Sequence, residues 1–277
     1  MAANKAQSQA RSEAGARTGK VRAFSSASSA RLLGQVAVVT GASRGIGFGI
    51  AQALAVEGCR VVITGRDMRT LKASAARIEA AVLRAPQLSG KILPEVLARA
   101  CDVRDPKSVA SLFTEVKQHF KKIDILVNNA GIAQPSVAVE ETSLDVWRDV
   151  VDTNLTGLFL CTREALPLMR AGSTIVNNLS IAAKTAFPNF AAYNAAKQGA
   201  LGFTLTLRLE LMSRGIRVVA LIVGATDTDI WRQFWPDAPR ERMMDIESAA
   251  QGVLYAVLLP RNANLSELVL NPTSGSL

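Results

Sequence analysis

The feature that most limits what this chain can fold into is a single passage near its start. It runs from Val36-Ala37-Val38-Val39 through Thr40-Gly41-Ala42-Ser43-Arg44-Gly45-Ile46-Gly47 to Ile50, Ala51, Leu54 and Ala55. The first run is short, apolar and β-branched, which predicts a buried strand. The last residues recur at helical spacing, so the glycines stand on a strand-to-helix turn. Glycines there let the backbone approach a ligand closely, and the following helix presents free N–H groups and the positive end of its dipole. A dinucleotide-binding loop requires that context, which makes Gly41, Ser43, Arg44, Gly45, Ile46 and Gly47 candidate cofactor residues.

Strand-like runs then alternate with helical stretches: Arg60 to Thr64, Ala98 to Asp102, Asp124 to Val127, Ser173 to Asn177, Gly215 to Ile222 and Leu265 to Leu270. Such alternation predicts a parallel sheet covered by helices on both faces, a doubly wound α/β (Rossmann) fold with its site at the carboxyl ends of the strands. Hydrophobic residues make up 49% of the chain, enough for one large core in a single domain over residues 34–277. No apolar run approaches the ~20 residues that cross a bilayer, so no integral membrane association is expected. The stretch from Arg77 to Arg99, broken by Pro86, Ser89-Gly90 and Pro94, is expected to form a surface excursion away from the substrate side.

A second strand end, Gly65-Arg66-Asp67, bears on cofactor choice. NAD-specific turns place an acidic side chain there for the adenosine ribose. Here the place holds Gly65, followed by Arg66, with Arg44 as a second cation from the first loop. A guanidinium forms paired, charge-assisted bonds to a 2′-phosphate that a carboxylate would repel, so NADP(H) is preferred over NAD(H). Further along, Tyr193 and Lys197 stand four apart, which places both on one helix face. A neighbouring ammonium favours the phenolate and lowers a tyrosine pKa from its usual value near ~10, making Tyr193 a usable acid/base.

With Ser180 upstream, these residues resemble the short-chain dehydrogenase/reductase superfamily, in its compact single-domain branch, from about Gly34 to the C-terminus. Thr40 to Gly47 matches its glycine loop, and Asp102-Val103 the pair at the adenine ring. Asn128-Asn129-Ala130-Gly131 matches the segment after the fourth strand, giving Asn129, Ala130 and Gly131 as cofactor residues. Asn154, Ser180, Tyr193 and Lys197 match the catalytic tetrad. The resemblance implies that Ser180 holds the substrate oxygen and Tyr193 donates or removes its proton. Lys197 lowers the tyrosine pKa and binds the nicotinamide ribose, while Asn154 holds, through its helix backbone, a water that links Lys197 to solvent. Hydride then passes between NADP(H) and the substrate carbon, without a metal.

Two departures stand out. Val223-Gly224 replaces the family's Pro-Gly, freeing a backbone angle in the loop that carries Gly224, Thr226 and Thr228, three further cofactor candidates. Asn178-Leu179 replaces the commoner residues before Ser180, and Asn178 is a polar group in need of partners. The ending Leu265 to Thr273 is similar to members that reduce 3-oxoacyl groups or oxidise small 3-hydroxy acids. A non-catalytic NADP(H)-sensing protein is the alternative from a different class. Trp231, Phe234 and Trp235 are expected to wall a substrate lid whose Arg232, Arg240 and Arg242 meet a carboxylate or phosphopantetheine, or else anchor the loop. Family members associate through the helices carrying Asn154 and Tyr193, so a homodimer or homotetramer is expected.

The remaining residues exclude more than they suggest. One histidine, His119, in a polar helix end, cannot make a histidine metal cluster. Cys59, Cys101 and Cys161 lack ligand spacing and fit reduced core thiols, pointing to a reducing, cytoplasmic setting. Residues 1–33 carry +5 of the net +9, so no basic stripe remains for nucleic acid. That tail reads as a disordered extension or misassigned start. Its alternative is a mitochondrial-type presequence ending near Arg22-Ala23-Phe24-Ser25-Ser26.

Overall fold

The side chains of the first strands divide between two faces, and both faces are dry. Val36, Val38 and Val62 enter one apolar cluster, whereas Ala37, Val39, Val61 and Ile63 enter another. Alternate strand residues point to opposite faces, so near-continuous apolar runs need cover on both sides. Each fully buried Val or Ile contributes roughly 1.5–3 kcal/mol by leaving water. The computed structural model describes residues 30–275, apart from the side chains of Gln233 and Phe234. The readings of the tail before residue 30 lie outside the described residues.

Seven strands form one parallel sheet: β1 (Val36–Val39), β2 (Arg60–Gly65), β3 (Val96–Ala100), β4 (Ile125–Asn128), β5 (Thr174–Asn178), β6 (Arg217–Val223) and β7 (Glu267–Leu270). Their order is β3-β2-β1-β4-β5-β6-β7. One face is covered by α1 (Gly45–Val56), α2 (Met68–Leu83) and a late helix, Ile246–Leu258, through Ile50, Leu54, Ile78 and Val253. The other is covered by α3 (Pro106–Phe120), the helix Gly157–Ala165 and the long helix Ala191–Met212, through Phe113, Val116, Leu160, Leu207 and Leu211. The remaining helices are Leu144–Val151 and the short Trp231–Phe234. In chain order the last five are α4 (Leu144–Val151), α5 (Gly157–Ala165), α6 (Ala191–Met212), α7 (Trp231–Phe234) and α8 (Ile246–Leu258). The chain steps outward from β1 to β3 and returns to β4 on the other side of β1, which opens a crevice at the carboxyl ends of β1 and β4. This is the expected doubly wound Rossmann-type α/β fold.

Several boundaries differ from expectation. β3 lies two residues earlier than Ala98 to Asp102, because its pairing with β2 ends where Gly65 meets Ala100 and Asp102 has no strand partner. β6 starts at Arg217 because Gly215 turns with φ +65° after α6. The proposed excursion from Arg77 is shorter than expected: α2 continues to Leu83 with Ile78 and Val82 buried, so only residues 84–95 leave the sheet. They enter β3 at its amino end, away from the site crevice. Packing also begins before Gly34, since Leu32 is 1% exposed and Arg31 pairs with Glu57 at 3.0 Å. Among the described residues no helix is long and apolar enough to cross a membrane.

A buried polar ladder fixes the strand ends beneath the crevice. Asn128 and Asn177 lie opposite one another on β4 and β5. Asn128 Nδ2 donates to Thr162 Oγ1 on α5 and to Asn177 Oδ1, both at 2.9 Å. Asn177 Nδ2 donates to Thr204 Oγ1 on α6 at 2.9 Å. Each threonine hydroxyl in turn donates to a carbonyl of its own helix, Leu158 O and Ala200 O. The ladder therefore ties both helices to the sheet, and an unmade bond there leaves a dry polar group. Replacing Asn177 by Ala strands Asn128 and Thr204 and is expected to cost about 2–4 kcal/mol, seen as a thermal midpoint lowered by roughly 5–12 °C. An unchanged midpoint would show that the ladder is dispensable.

Candidate active site

The crevice is built on a clamp between the first and fourth strands. The Thr40 hydroxyl accepts the backbone N–H groups of Asn129 at 2.9 Å and Ala130 at 3.0 Å. Asn129 Nδ2 donates back to Thr40 O at 2.9 Å and Gly41 O at 3.0 Å. Asn129 Oδ1 accepts from Asn178 Nδ2 at 2.8 Å, joining the end of β5 to the same unit. Above it lies a cavity of about 700 Å³. Gly131 must be bare, because a Cβ there would stand 2.6 Å from Asn154 Oδ1 and 3.6 Å from Lys197 Nζ.

One end of the cavity has the chemistry of an anion site. It is lined by Gly41, Ser43, Arg44, Gly45, Ile46 and Gly47, with Gly65, Arg66, Asp102 and Val103 beyond. α1 has no side-chain cap and no acidic residue in its first turn, so its leading N–H groups and dipole end are uncompensated. Asp67 takes no place in this wall: its carboxylate caps α2, accepting from Arg69 N at 2.8 Å. Arg66 is exposed, and Arg44 pairs loosely with Asp229 at 3.7 Å. Asp102 is gripped by Arg104 at 2.7 Å, and that hydrogen bond holds its carboxyl below the usual range. Arg104 also reaches Asp149 on α4 at 2.8 Å, a link the sequence reading missed. Asn129, Ala130, Gly131, Gly224, Thr226 and Thr228 complete the wall. The loop that lacks the family's proline is braced otherwise: Gly224 N donates to Leu270 O at 2.8 Å and Trp231 Nε1 to Thr226 O at 2.8 Å. These residues fit a dinucleotide, whose pyrophosphate the N-terminus of α1 would hold.

The other end gathers the tetrad. Ser180 follows β5, with its Oγ accepting from Ala182 N at 3.2 Å. Tyr193 and Lys197 lie one turn apart on α6, and both are buried. The start of α6 is held by Gln134, which the sequence reading did not single out. Its buried amide accepts from Tyr193 N at 2.9 Å and donates to Asn189 O at 3.2 Å. Lys197 Nζ donates to Asn178 O at 3.4 Å and stands 5.6 Å from the Tyr193 ring centre. Asn178 is thus only half satisfied: its Nδ2 bonds Asn129, while its buried Oδ1 has no protein partner. Asn154 sits in a π-helical turn, Asp152–Thr156, between α4 and α5. Its Nδ2 donates to Ile132 O and Val150 O, each at 2.9 Å, while its Oδ1 has no protein partner. Such π-turns occur mainly where function holds them in place.

The electrostatics depart from expectation. Burial pushes the Tyr193 phenol up to about 12, with a hydrogen bond to Ser180 pulling the other way. Burial pushes Lys197 down to about 8. Burial of the phenol thus runs against the lowering that the spacing suggested, and the bond to Ser180 is what pulls it down. For the arginines near the lid the structure takes the second of the two expectations. Trp231 and Trp235 line the cavity, but Arg232, Arg240 and Arg242 do not. Arg240 bonds Asp227 Oδ1 and Thr228 O at 2.7 Å each, Arg242 donates to Ser274 O at 3.4 Å, and Arg232 pairs with Asp229 at 3.3 Å. They anchor the loop, while the Phe234 side chain lies outside the described ones. His119 is exposed and pairs with Glu95 at 2.9 Å. The three cysteines are buried free thiols, and no metal-binding cluster occurs among the described residues.

Comparison with known proteins agrees with this geometry. Residues 35–239 match the short chain dehydrogenase family. A 3beta-hydroxysteroid dehydrogenase of Mediterraneibacter gnavus is 37% identical over 79% of this chain and 74% of its own. A 3-oxoacyl-[acyl-carrier-protein] reductase of Synechocystis is 39% identical over 72% of this chain and 77% of its own. A solved metagenomic short-chain oxidoreductase in complex with NADP superposes with a TM-score of 0.74 at 30% identity, covering 88% of this chain and 99% of that one. With the glycine turn, the clamp and the tetrad gathered in one crevice, the chain belongs to the short chain dehydrogenase family and is an oxidoreductase of alcohol and carbonyl groups.

Proposed function

We propose that the protein is an NADP(H)-dependent reductase of a 3-oxoacyl or related ketone, with Tyr193 as general acid. The observation that carries this is the layout of one cavity: Ser180, Tyr193 and Lys197 at one end, the uncapped α1 with Arg44 and Arg66 at the other. When bound, NADPH supplies the hydride. Ser180, already fixed by Ala182 N, donates its hydroxyl to the substrate oxygen and stabilises charge developing there. The Tyr193 phenol, kept protonated by burial, gives its proton to that oxygen. Lys197 holds the ribose and, with an ammonium that titrates near neutrality, lends a proton to restore the phenol. Asn154 Oδ1, beside Gly131 and Lys197, is placed to hold the water that connects this pair to solvent.

The cofactor preference rests on Arg66 and Arg44 at the end of β2 and on the commitment of Asp67 to the cap of α2. NADP in the superposing oxidoreductase supports the same choice. Exposed Leu144, Trp147 and Phe159 on α4 and α5, with Leu205 and Leu209 on α6, favour a homodimer or homotetramer through these helices. The buried free thiols suit the reducing cytoplasm.

Three outcomes test this reading. Tyr193→Phe is expected to lower kcat/KM for NADPH-driven ketone reduction at least about a hundredfold, with NADPH affinity kept by titration of cofactor fluorescence. Arg66→Ala is expected to weaken NADPH binding about tenfold or more and leave NADH binding unchanged, whereas a wild-type preference for NADH would sink the cofactor assignment. Lys197 supplies the pH test. Its folded pKa of about 8 lies below the ordinary lysine value, so the unfolded chain binds the extra proton and stability rises as pH climbs from about 8 toward about 10. Denaturant titrations should show that rise in the wild type without cofactor and not in Lys197→Met.

A further inference from the structure

Beyond Ser180 and Tyr193 the cavity changes character. Its wall there is Ile132, Ile181, Phe187, Phe190, Trp231 and Trp235. Aromatic residues are scarce in this chain, at 5% of the sequence, with nine Phe, two Tyr and three Trp. Two of the phenylalanines and two of the tryptophans are nonetheless spent here, around Tyr193. A large flat apolar wall with few polar groups selects an apolar body and fixes it by shape.

The charges nearby point the same way. Among the described residues, the only cation lining this end is Lys197, which is buried beside Tyr193. Arg232, Arg240 and Arg242, the cations nearest in sequence, are held by Asp229, by Asp227 with Thr228 O, and by Ser274 O. Asp229, the remaining charged side chain of the lid loop that lines the cavity, is neutralised between Arg44 at 3.7 Å and Arg232 at 3.3 Å. A carboxylate brought against this aromatic wall would lose its water, and the one cation there, Lys197, is already turned to Asn178 O.

We infer that the substrate is an uncharged ketone carrying a bulky ring body, and that free oxo acids are rejected. The inference rests on the reading of the protein as an NADPH-dependent reductase and names the substrate class of that site. The ketone takes up the hydride from NADPH at its carbon and the Tyr193 proton at its oxygen, leaving NADP⁺ and a secondary alcohol.

Matched probes test it: 2-tetralone and 4-methylcyclohexanone against 4-oxocyclohexanecarboxylate and acetoacetate. For each, kcat/KM with NADPH is measured together with the dissociation constant from tryptophan quenching in the presence of NADP⁺. The neutral rings are expected to lead in both quantities by at least about thirtyfold, and Trp235→Arg, which supplies the missing cation, should narrow that gap about tenfold. Turnover that needs Tyr193 but favours the anionic probes, or treats both alike, overturns the substrate class and leaves the reductase reading standing. Absence of Tyr193-dependent turnover for every probe, with NADPH bound, overturns the reductase reading and this inference with it. A neutral preference that Trp235→Arg leaves untouched places the selection outside the aromatic wall and overturns the inference.

Discussion

Everything above the sheet depends on the reciprocal bonding of Thr40 and Asn129. A strand end is normally a place where ladder bonds stop and N–H and C=O groups must find other partners. Here the Thr40 hydroxyl takes two N–H groups from the segment after β4, and the Asn129 amide returns two bonds to carbonyls of the glycine turn. The exchange closes the crevice between β1 and β4 at the switch point of the sheet, where side chains from both halves converge. It also explains why so many asparagines collect at these ends. Asn128 and Asn177 face the helices and tie α5 and α6, while Asn129 and Asn178 face the cavity and carry the tie to Lys197. The strands thus end in two polar layers, one structural and one beside the chemistry.

That rigidity matters for the proposed chemistry, because Tyr193 and Lys197 are held in an unfavourable environment. A buried ammonium and a buried phenol each resist the charged form, which is why Lys197 falls to about 8 and Tyr193 climbs to about 12. Only a frame that keeps both side chains dry can hold them so. Gln134, bonded to the backbone at the first turn of α6, and Asn178, whose carbonyl accepts from the ammonium, supply that frame. Unmet polarity, the Oδ1 atoms of Asn154 and Asn178, clusters around the same point.

Much of this was legible in the sequence because it lives in local pattern. The glycine turn and the alternating apolar runs gave the fold, and the separated motifs placed every candidate site residue on the wall of one cavity. What stayed hidden depends on partners far along the chain. The end of β3 is set by where β2 stops, not by its own residues. Asp67 reads as a ribose ligand or a bystander until its cap bond to Arg69 is visible. The Arg104 bridge to Asp149 and the Gln134 bond to Tyr193 span separations of 45 and 59 residues, beyond any local signal. The tyrosine pKa was misjudged because spacing reports a neighbour's charge but not the water lost around both groups.

The lid arginines show the same limit with more consequence. A run holding Arg232, Arg240 and Arg242 beside two tryptophans invites an acidic substrate when read as composition. Folding binds those cations to Asp227, Asp229 and backbone carbonyls, and a guanidinium already committed in this way offers little to an incoming carboxylate. Arg66, exposed and lining the cavity, and Arg44, only loosely paired with Asp229 at 3.7 Å, lie at the opposite end beside the uncapped helix. The cavity is therefore polarised along its length, cationic where a phosphate-bearing cofactor belongs and aromatic where a substrate does. Tyr193 stands at the junction, so with Tyr193 as the proposed acid only a group that tolerates the dry side would bring its oxygen to the phenol.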